Sequence, residues 1–269
     1  MIRNSLIAAP IPKWLYIHDD LTDEMSQRYG ADSPAFHLAQ ELLRLVRRDP
    51  DRVIVLRVEE QLEAVAAQGP LAPFELALGI GRAGERVARQ LQARTRWFPV
   101  IRRLDIWREE DGHGGYRMVS AANPVEAYLP ELERCRSLAI VDDTVFSGLT
   151  VRTVLQYLPA ALQDRTHIFC LRGVAETLQR IRARCRTIAG LSLDGRILEE
   201  VSLINASGLV TRASIRRAGL PPLAFFQRPE WMRAWFPGYA EDVIEVCRRL
   251  NELLEPTSGE EKTDERSYE

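Results

Sequence analysis

Two adjacent acids and a group of small polar residues stand close together near the middle of the chain. The segment 137–150 reads S-L-A-I-V-D-D-T-V-F-S-G-L-T. Asp142 and Asp143 could accept hydrogen bonds from two vicinal hydroxyls of a sugar. Ser147 and Thr150 supply hydroxyl donors, and the glycine between them lets the backbone approach an anion closely. These residue types together predict a ligand that carries both a sugar and a phosphate.

The elements around this segment are predicted to hold it at the edge of a sheet. Leu138–Val141 is a continuous apolar run, which is typical of a strand covered on both faces in a parallel sheet. Val151, Val154 and Leu155 then repeat at helical spacing, so a helix is expected after the turn. The acids would follow the carboxyl end of the strand, where ligands bind open α/β sheets. The helix N-terminus would offer unpaired amides to the phosphate.

Residues 141–150 closely resemble the phosphoribosyl pyrophosphate (PRPP) loop of type I phosphoribosyltransferases. In that family the acidic pair holds the ribose 2′- and 3′-hydroxyls, and the Ser/Thr-Gly-x-Thr segment wraps the 5′-phosphate. The resemblance implies a PRPP site formed by Asp142, Asp143, Thr144, Ser147, Gly148, Leu149 and Thr150. A surface turn capped by a serine would account for Ser147 but not for the paired acids. A Walker-type loop is excluded, because no G-x-x-x-x-G-K-[ST] occurs.

The resemblance also implies a fold and a reaction. The expected fold is α/β, a parallel sheet flanked by helices on both faces, with a flexible hairpin loop and a variable hood. The implied reaction is loss of pyrophosphate from C1 of PRPP and attack by a small-molecule acceptor. Mg²⁺ is the implied cofactor, and it would reach the acidic pair through the substrate rather than through direct protein ligands. A catalytically inactive module that senses PRPP or a nucleotide is the alternative.

A glycine-rich turn precedes the acidic segment by one strand–helix unit. A predicted strand, Leu76–Ile80, opens into G-I-G-R-A-G at 79–84. The turn resembles the family's pyrophosphate loop, which implies that Arg82, Ala83 and Gly84 meet the diphosphate. A turn whose glycines serve only close packing is the alternative. A Rossmann dinucleotide site is disfavoured, because Glu85-Arg86 stands where the third glycine is needed.

A charged hairpin is predicted between two strands, 97–103 and 116–121. Its tip, D-G-H-G-G at 111–115, is similar to the orotate-type hood loop but lacks that loop's lysine. The resemblance implies that Arg102, Arg103 and His113 act on the departing diphosphate. A solvated hairpin tip with a spectator histidine is the alternative.

The rest of the chain is divided by pattern into segments around the core. Residues 1–69 would pack on the core or contribute to the hood, and 70–195 would form the phosphoribosyltransferase-like core. Residues 196–255 would form a C-terminal hood or helical extension, and 256–269 a disordered tail. Within these, an extended arm is predicted before residue 32, a helix start at Ser33-Pro34, a hairpin turn at 194–196, and a basic helix at 212–217. Asn205, Ser207 and the aromatic run 231–236 are candidate specificity residues, with packing as the alternative for the aromatic run.

Composition excludes several classes of function. The 269 residues carry a net charge of −2, which argues against nucleic acid as a partner bound by bulk electrostatics. The four cysteines lack metal-site spacing and are expected to be reduced thiols. No signal-peptide core or membrane span is apparent, so a cytoplasmic protein with no membrane partner is expected. A homodimer is left open.

The acceptor is predicted to be something other than a purine base. In the purine-salvage branch of the family, an Asp usually precedes the Ser/Thr-Gly pair and handles a proton on the base. Phe146 stands there in this chain, and a phenyl ring neither accepts nor donates a proton. Apart from this, the sequence does not identify the acceptor.

Overall fold

The computed structural model describes residues 11–69, 71–111, 115–211 and 215–254. The predicted disordered tail, the hairpin tip with His113, and residues 212–214 therefore lie outside the described residues. The strands, in chain order, are β1 (Trp14–Asp19), β2 (Val53–Arg57), β3 (Leu76–Ile80), β4 (Ile101–Leu104), β5 (Ile106–Glu110), β6 (Tyr116–Ser120), β7 (Leu138–Val145), β8 (Thr166–Val174), β9 (Arg186–Leu193), β10 (Val201–Asn205), β11 (Ile215–Arg217) and β12 (Leu220–Leu223).

The helices lie between and after these strands. In chain order they are α1 (Leu21–Tyr29), α2 (Pro34–Val46), α3 (Val58–Ala66), α4 (Gly81–Thr95), α5 (Leu129–Leu132), α6 (Leu149–Tyr157), α7 (Ala160–Gln163), α8 (Ala175–Arg182), α9 (Ala206–Val210), α10 (Pro229–Trp235) and α11 (Ala240–Leu254). The predicted helix start at Ser33-Pro34 is confirmed, because Ser33 Oγ accepts the Phe36 amide at 3.2 Å.

A parallel sheet with the strand order β4-β3-β7-β8-β9 lies at the centre of the described chain. Alternate residues of its strands enter two different apolar cores. Leu138 and Ile140 pack with residues of α6 and α8 on one face, whereas Ala139 and Val141 pack with residues of α3 and α4 on the other. The predicted α/β class, with helices on both faces of a parallel sheet, is confirmed.

A second parallel sheet joins the two ends of the chain. Its strand order is β10-β1-β2, and the register pairs Ile17 with Ile204 and with Val55. The extended arm predicted before residue 32 is only partly right, because Trp14–Asp19 is the central strand of this sheet whereas Leu21–Tyr29 is helix α1. Helices α1 and α2 share one apolar core with α9, α10 and α11, so residues nearly 200 positions apart stabilise the same unit.

A smaller mixed sheet contains the charged hairpin. Strands β5 and β6 pair antiparallel, and β11 pairs with β5 through Arg217 and Glu110. Two predictions are wrong here. The predicted basic helix at 212–217 is wrong over its described part, because residues 215–217 form strand β11. The turn at 194–196 is not a hairpin, because β9 and β10 belong to different sheets.

The predicted strand 97–103 begins only at Ile101, which is a further difference from the sequence pattern. Trp97 and Phe98 are instead buried in the core beneath α3 and α4. Within the described ranges no helix has the length and apolarity to cross a bilayer.

Candidate functional site

The acidic pair lies inside strand β7 rather than after it. The predicted strand end at Val141 is wrong, because β7 continues to Val145 and stays paired with β8. Asp142 lies opposite Cys170, and Thr144 lies opposite Arg172. The two acids therefore lie in the C-terminal half of β7, near the edge of the central sheet at which its parallel strands end.

Asp143 is held by residues from two different sheets. The Asn205 amide donates from Nδ2 to Asp143 Oδ2 at 2.8 Å. Arg172 Nη2 donates to Asn205 Oδ1 at 2.5 Å and lies 3.6 Å from Asp143 Oδ2. The Arg172 side chain is fully buried, whereas that of Asp143 keeps 14% of its surface exposed. Burial alone would raise the pKa of Asp143, but Arg172 and the Asn205 hydrogen bond outweigh it and lower that pKa.

The pKa of Asp142 is shifted in the opposite direction from that of Asp143. Burial, followed by the neighbouring charge of Asp143, raises the pKa of Asp142 well above its usual range. The Asp143 amide donates to Asp142 Oδ1 at 2.8 Å, which opposes the rise only in part. As pH increases, Asp143 therefore ionises first, and the pair carries one negative charge before it carries two.

The turn after β7 has the geometry of an anion cradle. Gly148 has a φ of +69° at the start of α6, and a Cβ there would lie 2.8 Å from Thr177 Cγ2. Arg152 Nη1 donates to the Ser147 carbonyl at 2.9 Å, so a cation lies beside the turn. The first amides of α6, including that of Thr150, have no partner within the helix. This combination suits a phosphate group.

The glycines of the first turn serve packing. A Cβ on Gly84 would lie 2.4 Å from the Val141 carbonyl oxygen, and one on Gly79 would lie 2.5 Å from Glu85 Cα. Arg82 is exposed, and no ion pair or hydrogen bond of its side chain occurs with the described residues. Ala83 is half-buried beside it. A role of Arg82, Ala83 and Gly84 in diphosphate binding stays a prediction.

The arginines before the hairpin are engaged by acids of their own neighbourhood. Arg103 Nε lies 2.8 Å from Asp105 and its Nη1 lies 3.8 Å from Glu85. Arg102 lies 3.6 Å from Glu131. Both stand on β4, which is separated from β7 by β3. The structure thus places them on the same sheet edge as the acidic pair but in separate ion pairs, and His113 falls outside the described residues.

Residues of the second sheet complete the surroundings of the acidic pair. His18 is buried on β1 opposite Asn205, and Gln61 Nε2 lies 3.1 Å from its Nδ1. Burial, and then the charge of Arg172, lower the pKa of His18 well below its ordinary value. Asp20 accepts the Ser207 amide at 2.9 Å and the Ser207 hydroxyl at 2.6 Å.

Sequence reasoning found some of these residues and missed others. Asn205 and Ser207 were candidates because they end a strand in a small-residue turn, and both now lie at the site. Arg172, His18 and Asp20 were missed. Arg172 carried a signal, because it is a lone charge in an otherwise apolar strand, and a buried charge requires a partner.

The aromatic candidates separate into two groups. Met232, Trp235 and Phe236 are buried in the core shared by α2 and α11, which favours packing over specificity. Phe146 is half-buried in the turn after β7.

A direct protein metal site is not apparent in the described parts of the chain, where no three His, Cys, Asp or Glu side chains form a group that could hold an ion. Asp143 Oδ2 is already engaged by Asn205 and Arg172, which leaves few carboxylate oxygens for a cation. Mg²⁺ prefers to keep waters and phosphate oxygens as ligands. The donor set therefore fits an ion that arrives with a diphosphate.

Comparison with known proteins gives distant likenesses only. No known family profile matches the sequence, and no curated protein sequence matches it either. A crystal structure of a hypothetical Neisseria gonorrhoeae protein with bound ppGpp is 15% identical and has a TM-score of 0.40, covering 54% of this chain and 82% of its own.

Two phosphoribosyltransferase structures are similar at the same level. The Giardia lamblia APRTase, complexed with 9-deazaadenine, is 11% identical and has a TM-score of 0.38, covering 56% of this chain and 84% of its own. The purine phosphoribosyltransferase from Pyrococcus horikoshii is 14% identical and has a TM-score of 0.33, covering 54% and 86%. Likeness of this size does not assign a function, which must be argued from the residues of the chain.

Proposed function

We propose that this protein is a phosphoribosyltransferase-like enzyme that binds PRPP with Mg²⁺ and transfers the phosphoribosyl group to a non-purine acceptor. The observation that carries the proposal is the course of the chain from β7 into α6. Two acids at the carboxyl edge of a parallel sheet are followed by a left-handed Gly148 and a helix of nine residues. Carboxylates that can accept hydrogen bonds from sugar hydroxyls thus lie next to a helix N-terminus that can donate hydrogen bonds to a phosphate. A ribose 5-phosphate requires both.

The residues of the chain have separate tasks in this reaction. Asp143, ionised beside Arg172, accepts a ribose hydroxyl and fixes the sugar ring. Ser147, Thr150 and the first amides of α6 hold the 5′-phosphate. With both ends of ribose 5-phosphate fixed, C1 has a defined position for attack by the acceptor.

Departure of pyrophosphate requires stabilisation of negative charge. Mg²⁺, when bound with the substrate, supplies charge neutralisation for the diphosphate. Arg82 is exposed at the start of α4 and is the side chain assigned to the same group. Arg102 and Arg103 would have to exchange their present acidic partners for the diphosphate, a change that substrate binding must drive.

We propose that the acceptor does not need residue 146 to accept or donate a proton. Phe146 is half-buried, so its ring offers an apolar surface beside the turn. Hypoxanthine and guanine should therefore be poor acceptors. Phe146→Asp should gain purine-dependent pyrophosphate release over wild type if position 146 corresponds to the base-facing residue, and no gain would contradict that assignment.

A sensor that binds PRPP or a nucleotide without turnover is the second candidate. The engagement of Asp143 by Asn205 and of Arg103 by Asp105 favours it, because these groups are occupied by the protein itself. Both candidates use the same acids and the same phosphate cradle, and turnover is what distinguishes them.

Pyrophosphate release separates these two functions. Purified protein is incubated with PRPP, Mg²⁺ and a panel of orotate-like, amide, amine and purine acceptors, and pyrophosphate is measured. Acceptor-dependent release that Asp142→Asn abolishes supports the enzyme. PRPP binding without release from any acceptor supports the sensor, and absence of PRPP binding rejects both the enzyme and a sensor of PRPP.

A further inference from the structure

We propose that Asn205 and Arg172 are positioning residues for Asp143, so that the second parallel sheet is a working part of the substrate site. The inference rests on the proposed function and adds to it two residues from outside the acidic segment. Asn205 ends β10 of the second sheet, whereas Arg172 stands on β8 of the central sheet. Their meeting at one carboxylate joins the carboxyl edges of the two sheets.

The three side chains form a closed arrangement. Asn205 uses both ends of its amide, because Nδ2 donates to Asp143 at 2.8 Å and Oδ1 accepts from Arg172 at 2.5 Å. Arg172 Nη2 is also 3.6 Å from the same Asp143 oxygen. An amide that bridges a carboxylate and a guanidinium fixes the rotamers of both, since each must satisfy the same planar group.

The arrangement leaves part of Asp143 free for a ligand. A carboxylate offers about four acceptor positions over its two oxygens, and the contacts from Asn205 and Arg172 are made to Oδ2. A ribose hydroxyl can therefore bind Asp143 without displacing Asn205. The second sheet would then orient the acid from behind while the ligand binds from the open side, where 14% of the side chain is exposed.

Arg172 also has hydrogen-bond donors that its contacts with Asn205 and Asp143 do not use. Its Nε and Nη1 are buried and without hydrogen-bond partners in the described residues, and so is the hydroxyl of Thr144, its register partner on β7. A structural role alone would favour satisfying these groups within the protein, because an unpaired buried donor is costly. Their presence on β7 and on the neighbouring β8, beside Asp143, indicates a site that is completed by water or ligand oxygen.

Several titratable groups face Asp143, and each affects its charge. They are Arg172 on β8, His18 on β1, Asp142 on β7, and the more distant Asp20 and Cys170. Asn205 is the one hydrogen-bond donor among the contacts of Asp143 that does not titrate. Substitution of Asn205 therefore changes the ionisation of Asp143 without removing a charge from the cluster.

The experiment compares Asn205→Ala with a matched control, Asn251→Ala. Asn251 is also a buried asparagine, and its Nδ2 donates to the Val210 carbonyl at 2.8 Å in the core of the second unit. Asn251→Ala loses one buried side-chain hydrogen bond, whereas Asn205→Ala loses the bonds to Asp143 and to Arg172, so only Asn205→Ala affects Asp143. PRPP affinity is measured with Mg²⁺ from pH 5 to pH 8, and the Asp143 carboxyl is titrated by NMR without ligand.

We expect Asn205→Ala to raise the pKa of Asp143 and to weaken PRPP binding. The ratio of variant to wild-type Kd should be larger at pH 5 than at pH 8, because a raised pKa lets Asp143 take up a proton, and so lose its charge as an acceptor, at a higher pH in the variant than in wild type. Titration of PRPP itself cancels in this ratio. Asn205→Asp, which places a second carboxylate against the first, should bind more weakly still. Asn251→Ala should leave the ratio near one at every pH.

Other outcomes would overturn the proposal. A Kd ratio for Asn205→Ala within twofold of that for Asn251→Ala across the range would show that Asn205 does not position the acid. An Asp143 pKa that is unchanged in ligand-free Asn205→Ala would also show that Asn205 does not position the acid. A further outcome is that wild type binds no PRPP while the pKa of Asp143 still shifts in Asn205→Ala. In that case the proposed function fails, and the contacts of Asn205 and Arg172 with Asp143 are structural only.

Discussion

Gly84→Ala tests the packing that sets the distance between the two turns of the candidate site. Gly84 lies in the first turns of α4, directly over β7. An added Cβ would lie 2.4 Å from the Val141 carbonyl oxygen and 3.3 Å from Asp142 Cα. Both contacts are with backbone, so no side chain can rotate away to relieve them. Either the helix or the strand must move by roughly 1 Å to restore an ordinary contact distance.

Two opposing terms set the size of the effect. Alanine is favoured over glycine in a helix interior by about 1 kcal/mol. Overpacking in a well-packed core costs about 1–3 kcal/mol. We expect the cost of overpacking to exceed the gain in helix propensity, so that the free energy of unfolding falls by up to about 2 kcal/mol in urea denaturation. PRPP affinity should fall as well, because the strand atoms that move carry Asp142.

Gly219→Ala is the matched control for stability. Gly219 has a φ of +69° in the turn before β12, and a Cβ there meets nothing within 4 Å. Left-handed strain costs about 1–2 kcal/mol, so this variant loses similar stability for a different reason. Its PRPP affinity should be that of wild type. A Gly84→Ala protein more stable than wild type by about 1 kcal/mol would show that helix propensity acts unopposed and would refute the close packing.

Two further predictions concern the acids and the core. Asp142→Asn should raise the free energy of unfolding at pH 7, because the raised pKa of Asp142 means that its ionisation opposes folding. The gain should be absent below about pH 3.9, the pKa of unfolded aspartate, and grow with pH until the folded group ionises. Comparing wild type and variant by urea denaturation at pH 3.5 and pH 7 checks the sign, and a gain equal at both pH values would contradict it. Phe169→Ala should cost about 3–5 kcal/mol, because the ring is fully buried. Its centroid lies 5.1 Å from that of Phe98, so a loss below 1 kcal/mol in the same assay would contradict the packing of this core.

The central sheet could be predicted because its sequence signal is local. The apolar run 138–141 and the strand 76–80 appear where the pattern places them, and the helix after the acidic turn does as well. The end of β7 could not be predicted in the same way. Asp142, Asp143 and Thr144 have the composition of a loop, and they remain in a strand because β8 continues beside them and supplies Arg172.

The second sheet could not be predicted because its contacts are distant in sequence. Strand β1 pairs with β2 about 40 residues later and with β10 nearly 190 residues later, so no local pattern indicates the partnership. The basic segment 212–217 is predicted as a helix from its sequence, but its residues 215–217 are part of a sheet. They form a strand because β5 and β12 provide backbone partners on either side.

Calorimetric titration with PRPP and Mg²⁺ tests directly whether Asp142 and Asp143 bind PRPP. Wild type is compared with Asp142→Asn combined with Asp143→Asn, and circular dichroism establishes that the double variant is folded. Charge-assisted hydrogen bonds contribute about 1.5–3 kcal/mol each, so the account predicts that wild type binds and that the folded variant binds at least tenfold more weakly. An unchanged affinity in the folded double variant, or no binding by wild type, would contradict it.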